Sequence, residues 1–257
     1  MEQSANSPVE VGGKQITAEA IFIPEKNDGT ITVDFIFSAT ELAGKTVVVF
    51  ETLFHGEDVV AEHKNIEDEG QMIHFPSIKT TARDSRTSEH SGWAACGEDM
   101  TVVDEVRYNH LIPGKEYRIV GTVMDKDKEK PLLLGEEKIT AEKVFTANAA
   151  DGCVTLEFNI PGEKLAGKTV VVFETLYYGN TELVTHEDIE DENQTIFYPD
   201  IDLKTEAKDQ ETGGHTGEAK EKVTIIDTVT YTGLIPDKKY RLEGTVMDKS
   251  TGEVFLN

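Results

Sequence analysis

The segment LAGKTVVVFETL at Leu42–Leu53 returns unchanged at Leu165–Leu176. Its TVVVF core is apolar on both faces, as a buried central β-strand requires, and β-branched residues suit a pleated surface. The repeat sets an acid, Glu51 or Glu174, inside each copy of that strand. The two acids stand 123 residues apart. The same offset relates His63 to His186, Gln71 to Gln194 and Asp104 to Asp227. A period of this length is a whole small domain rather than a solenoid unit.

The offset also dissects the chain. Gln15-Ile16-Thr17-Ala18-Glu19 aligns with Lys138-Ile139-Thr140-Ala141-Glu142, so residues 1–77 match only the C-terminal part of a domain. LIPDKKYRLEGTVMDK (Leu234–Lys249) repeats LIPGKEYRIVGTVMDK (Leu111–Lys126), so residues 201–257 match only its N-terminal part. A complete domain spans 78–200, with joints near Pro76 and Pro199. The expected organisation is half a domain, one whole domain, then the other half.

Short β-rich runs dominate and helix signals are weak. Strands are expected at Ile16–Phe22, Thr30–Phe37, Thr46–Leu53, Thr101–Tyr108, Tyr117–Met124, Lys138–Phe145, Cys153–Phe158, Thr169–Tyr177, Thr195–Tyr198, Val223–Tyr231 and Tyr240–Met247. Turn chemistry such as Asn27-Asp28-Gly29, Pro113-Gly114 and Asp151-Gly152 separates them. Several strands per domain at this spacing predict an all-β fold of tandem immunoglobulin-like antiparallel sandwiches.

Composition narrows the partners. A net charge of −24 repels phosphate backbones, so nucleic acid is not an expected partner. No run of 18 apolar residues is present, so no membrane span is expected. The start, MEQSANSPVE, has neither a basic nor an apolar leader region; a signal peptide or sorting signal of an exported parent would lie elsewhere. Cys96 and Cys153 fall in one copy only, which is not a disulfide framework.

The polar residues that recur carry the chemistry. Glu174 shares a strand face with Val170 and Val172, where a lone ionised carboxylate costs several kcal/mol. Asp104 in TVVDEV and Asp227 in TIIDTV repeat the pattern on another strand. Two such carboxylates brought together share a proton. His186 and Gln194 keep their places in THEDIEDENQT against EHKNIEDEGQM, while the acids between them read as a solvated loop. Those acids lack calcium-loop spacing, so no metal is expected, and no cofactor motif is present. Thr80, in Lys79-Thr80-Thr81, is matched by Thr205 in Lys204-Thr205-Glu206.

Together these residues resemble the VaFE repeat, or T-Q ester-bond domain, of surface-anchored adhesins of Gram-positive bacteria. The resemblance covers almost the whole chain. It implies an immunoglobulin-like sandwich with an intramolecular ester between a first-strand Thr and a last-strand Gln. Carried over, Thr80 is the nucleophile and Gln194 the acceptor, with Glu174, Asp104 and His186 as the assisting shell. It further implies a cell-wall-anchored extracellular protein, neighbouring repeat domains as partners, and no turnover of an external substrate.

Glu51, His63 and Gln71 of the first half lack a threonine, and Thr205 and Asp227 of the last half lack a glutamine. The simple reading is a fragment cut from a longer array; the sharper one is complementation between molecules, with Gln71 of one chain against Thr205 of another. The rival classes are an adhesive module, for which only Trp93 offers an aromatic contact, and a glycosidase using paired carboxylates, which has no cleft-forming insertion. A Lys–Asn isopeptide is disfavoured because Lys79 and Lys204 alternate with the threonines and no asparagine recurs near the last strand: Asn193 aligns with Gly70.

Overall fold

The computed structural model describes residues 1–94 and 97–254. Cys96 lies outside the described residues; Cys153 is exposed with a free thiol. The chain divides into two compact units, Met1–Tyr198 and Pro199–Asn257. It is all-β, with antiparallel sheets throughout and helices of at most four residues. No helix among the described residues is long and apolar enough to cross a membrane.

In the first unit, residues 1–77 hold a short pair, Glu10–Val11 with Lys14–Gln15, and two longer antiparallel pairs. Strand β1 (Lys45–Val48) and β2 (Glu51–His55) precede β3 (Asp58–His63) and β4 (Met72–Phe75); β1 pairs with β4 and β2 with β3. The complete module follows with β5 (Ser77–Asp84), β6 (Asp99–Asn109), β7 (Glu116–Asp125), β8 (Thr140–Thr146), β9 (Gly152–Pro161), β10 (Lys168–Tyr178), β11 (Thr181–His186) and β12 (Thr195–Tyr198). One sheet runs β9-β6-β5. The other runs β8-β7-β10, with β11 and β12 sharing the far edge of β10. This two-sheet antiparallel sandwich is immunoglobulin-like.

Alternation builds the core. Along β5, Ile78, Thr80, Ala82 and Asp84 point inward; along β6, Met100, Val102, Asp104, Val106 and Tyr108 do. Val170, Val172, Glu174 and Leu176 of β10 meet them from the facing sheet. The pleat therefore buries Thr80, Asp104 and Glu174 by the same rule that buries their apolar neighbours. Gly121 of β7 stands opposite Glu174 in register. A Cβ there would lie 2.5 Å from Phe158 Cζ and 2.8 Å from Leu156 Cδ1. Only glycine lets the inner layer close over that point.

The ends of the module are tied together. The loop after β5 donates Gly92 N–H to Phe197 O at 3.0 Å, and Phe197 N–H is donated to His90 O at 2.9 Å. The Tyr198 hydroxyl is donated to Asp84 Oδ2 at 3.1 Å, with both residues fully buried. Burial and the Asp84 charge push the Tyr198 hydroxyl far above the usual phenol range.

The second unit contains β13 (Asp202–Asp209) paired with β14 (Ile225–Thr232). Its pairs Thr205↔Val229 and Ala207↔Asp227 repeat Thr80↔Val106 and Ala82↔Asp104. A further corner recurs. Tyr117 Oη accepts from Ile112 N–H at 2.9 Å, and Tyr240 Oη from Ile235 N–H at 3.0 Å.

Three expected strands are not strands. Ile16–Phe22, Thr30–Phe37 and Tyr240–Met247 have no regular ladder, apart from a bridge between Met247 and Val254. Their counterparts in the complete module pair with β6, β7 or β10, which lie in the other half of the repeat. A strand forms only where its hydrogen-bond partner exists. The expected strand Thr46–Leu53 is likewise broken at Val49–Phe50, where the complete module runs continuously beside β7. Lys138–Phe145 also divides, into Glu137–Lys138 and β8.

Candidate functional site

Four of the recurring polar residues converge in the sandwich interior. Glu174, Asp104 and Gln194 are fully buried and Thr80 is 5% exposed. Gln194 ends a short 3-10 turn, Glu192–Gln194, that packs on β5 and enters β12. Its Nε2 is donated to Asp104 Oδ1 at 3.4 Å. Thr80 Oγ1, Asp104 Oδ2, Gln194 Oε1 and both Glu174 oxygens make no hydrogen bond. So many buried polar atoms without partners mark a functional constraint rather than a packing solution.

Burial dominates the electrostatics. It pushes Asp104 up to about 6, against the pull of Glu174, the Thr81 backbone N–H, the His186 charge and Gln194. Burial pushes Glu174 well above the usual carboxylate range, and the Asp104 charge pushes it further. The Thr80 hydroxyl lies close enough to Glu174 to oppose that rise slightly, though outside hydrogen-bond geometry. Both shifts favour the protonated form, so the two carboxyls titrate as one coupled pair that shares a proton.

His186 is the register partner of Glu174 across β10 and β11. Its ring does not join the buried group by a hydrogen bond; Nε2 lies 2.8 Å from Asp191 Oδ2. Asp191 also caps the turn that carries Gln194, its Oδ1 accepting from Asn193 N–H at 2.8 Å. Its carbonyl accepts the Thr195 hydroxyl at 2.7 Å. Asp191 was hidden among five acids between His186 and Gln194, which sequence reading assigned to solvent. The usable signal was the repeat, because Asp68 holds the matching place. His63 Nε2 lies 2.8 Å from Asp68 Oδ2, and Asp68 Oδ1 accepts from Gly70 N–H at 2.9 Å.

Residues 1–77 and 201–257 repeat parts of this pairing without burying the polar residues. Glu51 pairs with His63 as Glu174 does with His186, down to the same register shift two residues on, at Leu53/Phe54 and Leu176/Tyr177. Glu51, His63, Thr205 and Asp227 are exposed, and Gln71 is half-buried. No group of three or more His, Cys, Asp or Glu among the described residues could hold a metal ion.

No curated protein matches the chain. Among solved structures it is similar to a bacterial adhesin from Mobiluncus mulieris, described as containing intramolecular disulfide, isopeptide and ester bond cross-links. That adhesin was determined in two space groups. Identity is 13% and the TM-score 0.41 in each; the match covers 61% of this chain and 76% and 75% of theirs. An overlap that loose bears no weight for the chemistry. The model of the family described as "T-Q ester bond containing domain" matches residues 1–75, 76–198 and 201–254. With nearly the whole chain accounted for in three successive matches, this protein belongs to the T-Q ester bond containing domain family.

Proposed function

We propose that the complete module closes a covalent ester between Thr80 and Gln194, and that the chain is part of the stalk of an extracellular adhesin anchored to a Gram-positive cell wall. It is organised as half-module 1–77, module 78–200 and half-module 201–257, and its partners are neighbouring repeats. The observation that carries this reading is the buried group itself: a hydroxyl, a carboxamide and two carboxyls, with most polar atoms unpartnered. Each unpartnered buried polar group costs about 1–3 kcal/mol, which ester formation partly relieves.

The steps balance. The shared proton moves from Glu174 to Asp104. Glu174, now ionised and facing Thr80, accepts the hydroxyl proton as Oγ1 attacks the Gln194 amide carbon. Asp104, hydrogen-bonded to Nε2, gives its proton to the departing nitrogen. The C–N bond breaks, ammonia leaves, and the pair returns to its resting charge. His186 and Asp191 hold β11 and the turn so that the amide stays in place. Folding supplies the proximity for a single turnover. No external substrate is consumed.

The ester joins the first strand to the turn before the last, so force entering at one end of the module leaves at the other without loading the sheets. Intact mass tests the chemistry. The parent should weigh one ammonia less than its sequence, and Thr80→Val and Gln194→Ala should each restore it. A parent of full sequence mass refutes the reading. Single-molecule pulling tests the load: the esterified module should give no unfolding extension.

A further inference from the structure

The two residues that the proposed ester joins lie in segments with no ladder between them. Among the described residues β5 pairs with β6 alone, and β12 with β10 alone. β12 is held over four pairs, from Lys168↔Tyr198 to Val171↔Thr195. Sheet pairing therefore does not set Gln194 against Thr80.

A second pair stands in the same relation. Asp84 follows Thr80 by four residues, and Tyr198 follows Gln194 by four, so both pairs are 114 residues apart in sequence. Thr80, Ala82 and Asp84 share the inner face of β5. The Tyr198 hydroxyl is donated to Asp84 Oδ2 at 3.1 Å, and both residues are fully buried. Four residues of extended backbone span about 13 Å, so this bond lies about that far along β5 from Thr80.

The loop after β5 seals the bond. Asp84 Oδ1 accepts from Arg86 N–H at 3.1 Å and from Thr87 N–H at 2.9 Å, which leaves Oδ2 for the tyrosine. The loop then grips Phe197 from both sides of its peptide, through Gly92 N–H and His90 O. A Cβ on Gly92 would lie 2.7 Å from Asp84 Cγ and 2.9 Å from Tyr198 Cε1. The bare backbone of Gly92 thus presses on the hydrogen bond and keeps water from it.

Loop and bond are separable. Asp209 Oδ1 accepts from Glu211 N–H at 3.0 Å and Thr212 N–H at 2.9 Å, and the Thr212 hydroxyl is donated to Thr216 O at 2.7 Å, as that of Thr87 is to Ser91 O. That copy of the loop closes in a unit whose one ladder, among the described residues, is β13 with β14. Phe75 holds the place of Tyr198 on β4, paired with Lys45 as Tyr198 is with Lys168. A ring without a hydroxyl therefore fits that strand position.

We propose that Asp84 and Tyr198 are positioning residues for the ester: their hydrogen bond clamps β12 against β5, so that the Gln194 amide meets the Thr80 hydroxyl before any covalent link exists. The inference rests on the ester chemistry proposed above and adds to it two residues that touch none of the reacting atoms. Without the bond β12 keeps its ladder to β10 but shifts freely against β5, and a misplacement of about 1 Å costs about a hundredfold in rate.

The test uses the full chain, made by cell-free synthesis, quenched into guanidinium chloride before it folds, and then diluted to refold well below the melting temperature of each variant. Circular dichroism follows folding, and quenched intact mass follows the loss of ammonia. Tyr198→Phe should fold at the parent rate and then form the ester about ten- to a hundredfold more slowly, with an unchanged dependence on pH because the reacting acids are untouched. Asp84→Asn keeps an oxygen for the loop and offers an amide N–H to the tyrosine oxygen, so it should recover most of the parent rate. Asp84→Ala, which loses both contacts, should be the slowest. Ester formation by Tyr198→Phe at the parent rate would overturn the clamp and leave the ester reading standing. A delay accounted for by slower folding alone would do the same. Asp84→Asn as slow as Asp84→Ala would overturn the hydrogen bond as the agent. A parent of full sequence mass would overturn the ester reading, and the clamp with it.

Discussion

Replacing Thr80 by valine isolates the crosslink. Valine has nearly the shape of threonine, and the Thr80 hydroxyl makes no hydrogen bond, so the substitution itself removes little that stabilises the fold. What it removes is the link between positions 80 and 194. Those positions lie 114 residues apart, and closing a loop of that length constrains the unfolded chain by about 5 kcal/mol. In the esterified parent that hydroxyl is already consumed, so its deletion returns nothing and the net loss is about 5 kcal/mol. For a module of this size, each kcal/mol moves the midpoint by about 3–6 °C, so thermal unfolding should fall by about 15–30 °C. Differential scanning calorimetry on parent, Thr80→Val and Thr80→Ser, each with its intact mass, is the assay. Thr80→Ser keeps a nucleophile and should behave like the parent. An esterified parent that melts with Thr80→Val would refute the claim that the link stabilises the fold through loop closure.

Four further outcomes follow from the same geometry. In chain refolded from denaturant, ester formation should slow about tenfold per pH unit below pH 6, because protonating Asp104 leaves the pair without a base; a flat rate from pH 4 to 7, read by quenched intact mass, would contradict the assignment. Both carboxyls are raised in the folded state, so their stabilising contribution is present in acid and lost as pH rises through about 6 for Asp104 and higher for Glu174; the uncrosslinked Thr80→Val module should therefore show a lower denaturant midpoint at pH 8 than at pH 5, and Glu174→Gln in that background should flatten the slope. Asp191→Ala should slow ester formation about tenfold or more, whereas Asp191→Asn, which keeps the turn cap and loses the charge facing His186, should recover part of it. Finally, Gly121→Ala should destabilise the module by about 1–3 kcal/mol in urea unfolding, since the added methyl meets Phe158 and Leu156.

Much of this was readable from spacing. The alternation along β5, β6 and β10 already places Thr80, Asp104 and Glu174 on inward faces. Period-two patterns translate directly into burial when a strand is paired on both sides. The same patterns misled where the pairing partner was missing. Ile16–Phe22 and Tyr240–Met247 have the composition of strands, but a ladder needs a second chain segment, and in each half-module that segment belongs to the other half.

The identity of the acids and the amide, and the fact that they recur together, were written in the primary structure, because residue types and repeat spacing are local facts. That Glu174 and Asp104 titrate as a pair, and that Asp191 differs from the acids around it, emerge only from the packed molecule. Each depends on distances between groups far apart along the chain and on water excluded from between them, and neither quantity exists until the sheets have closed.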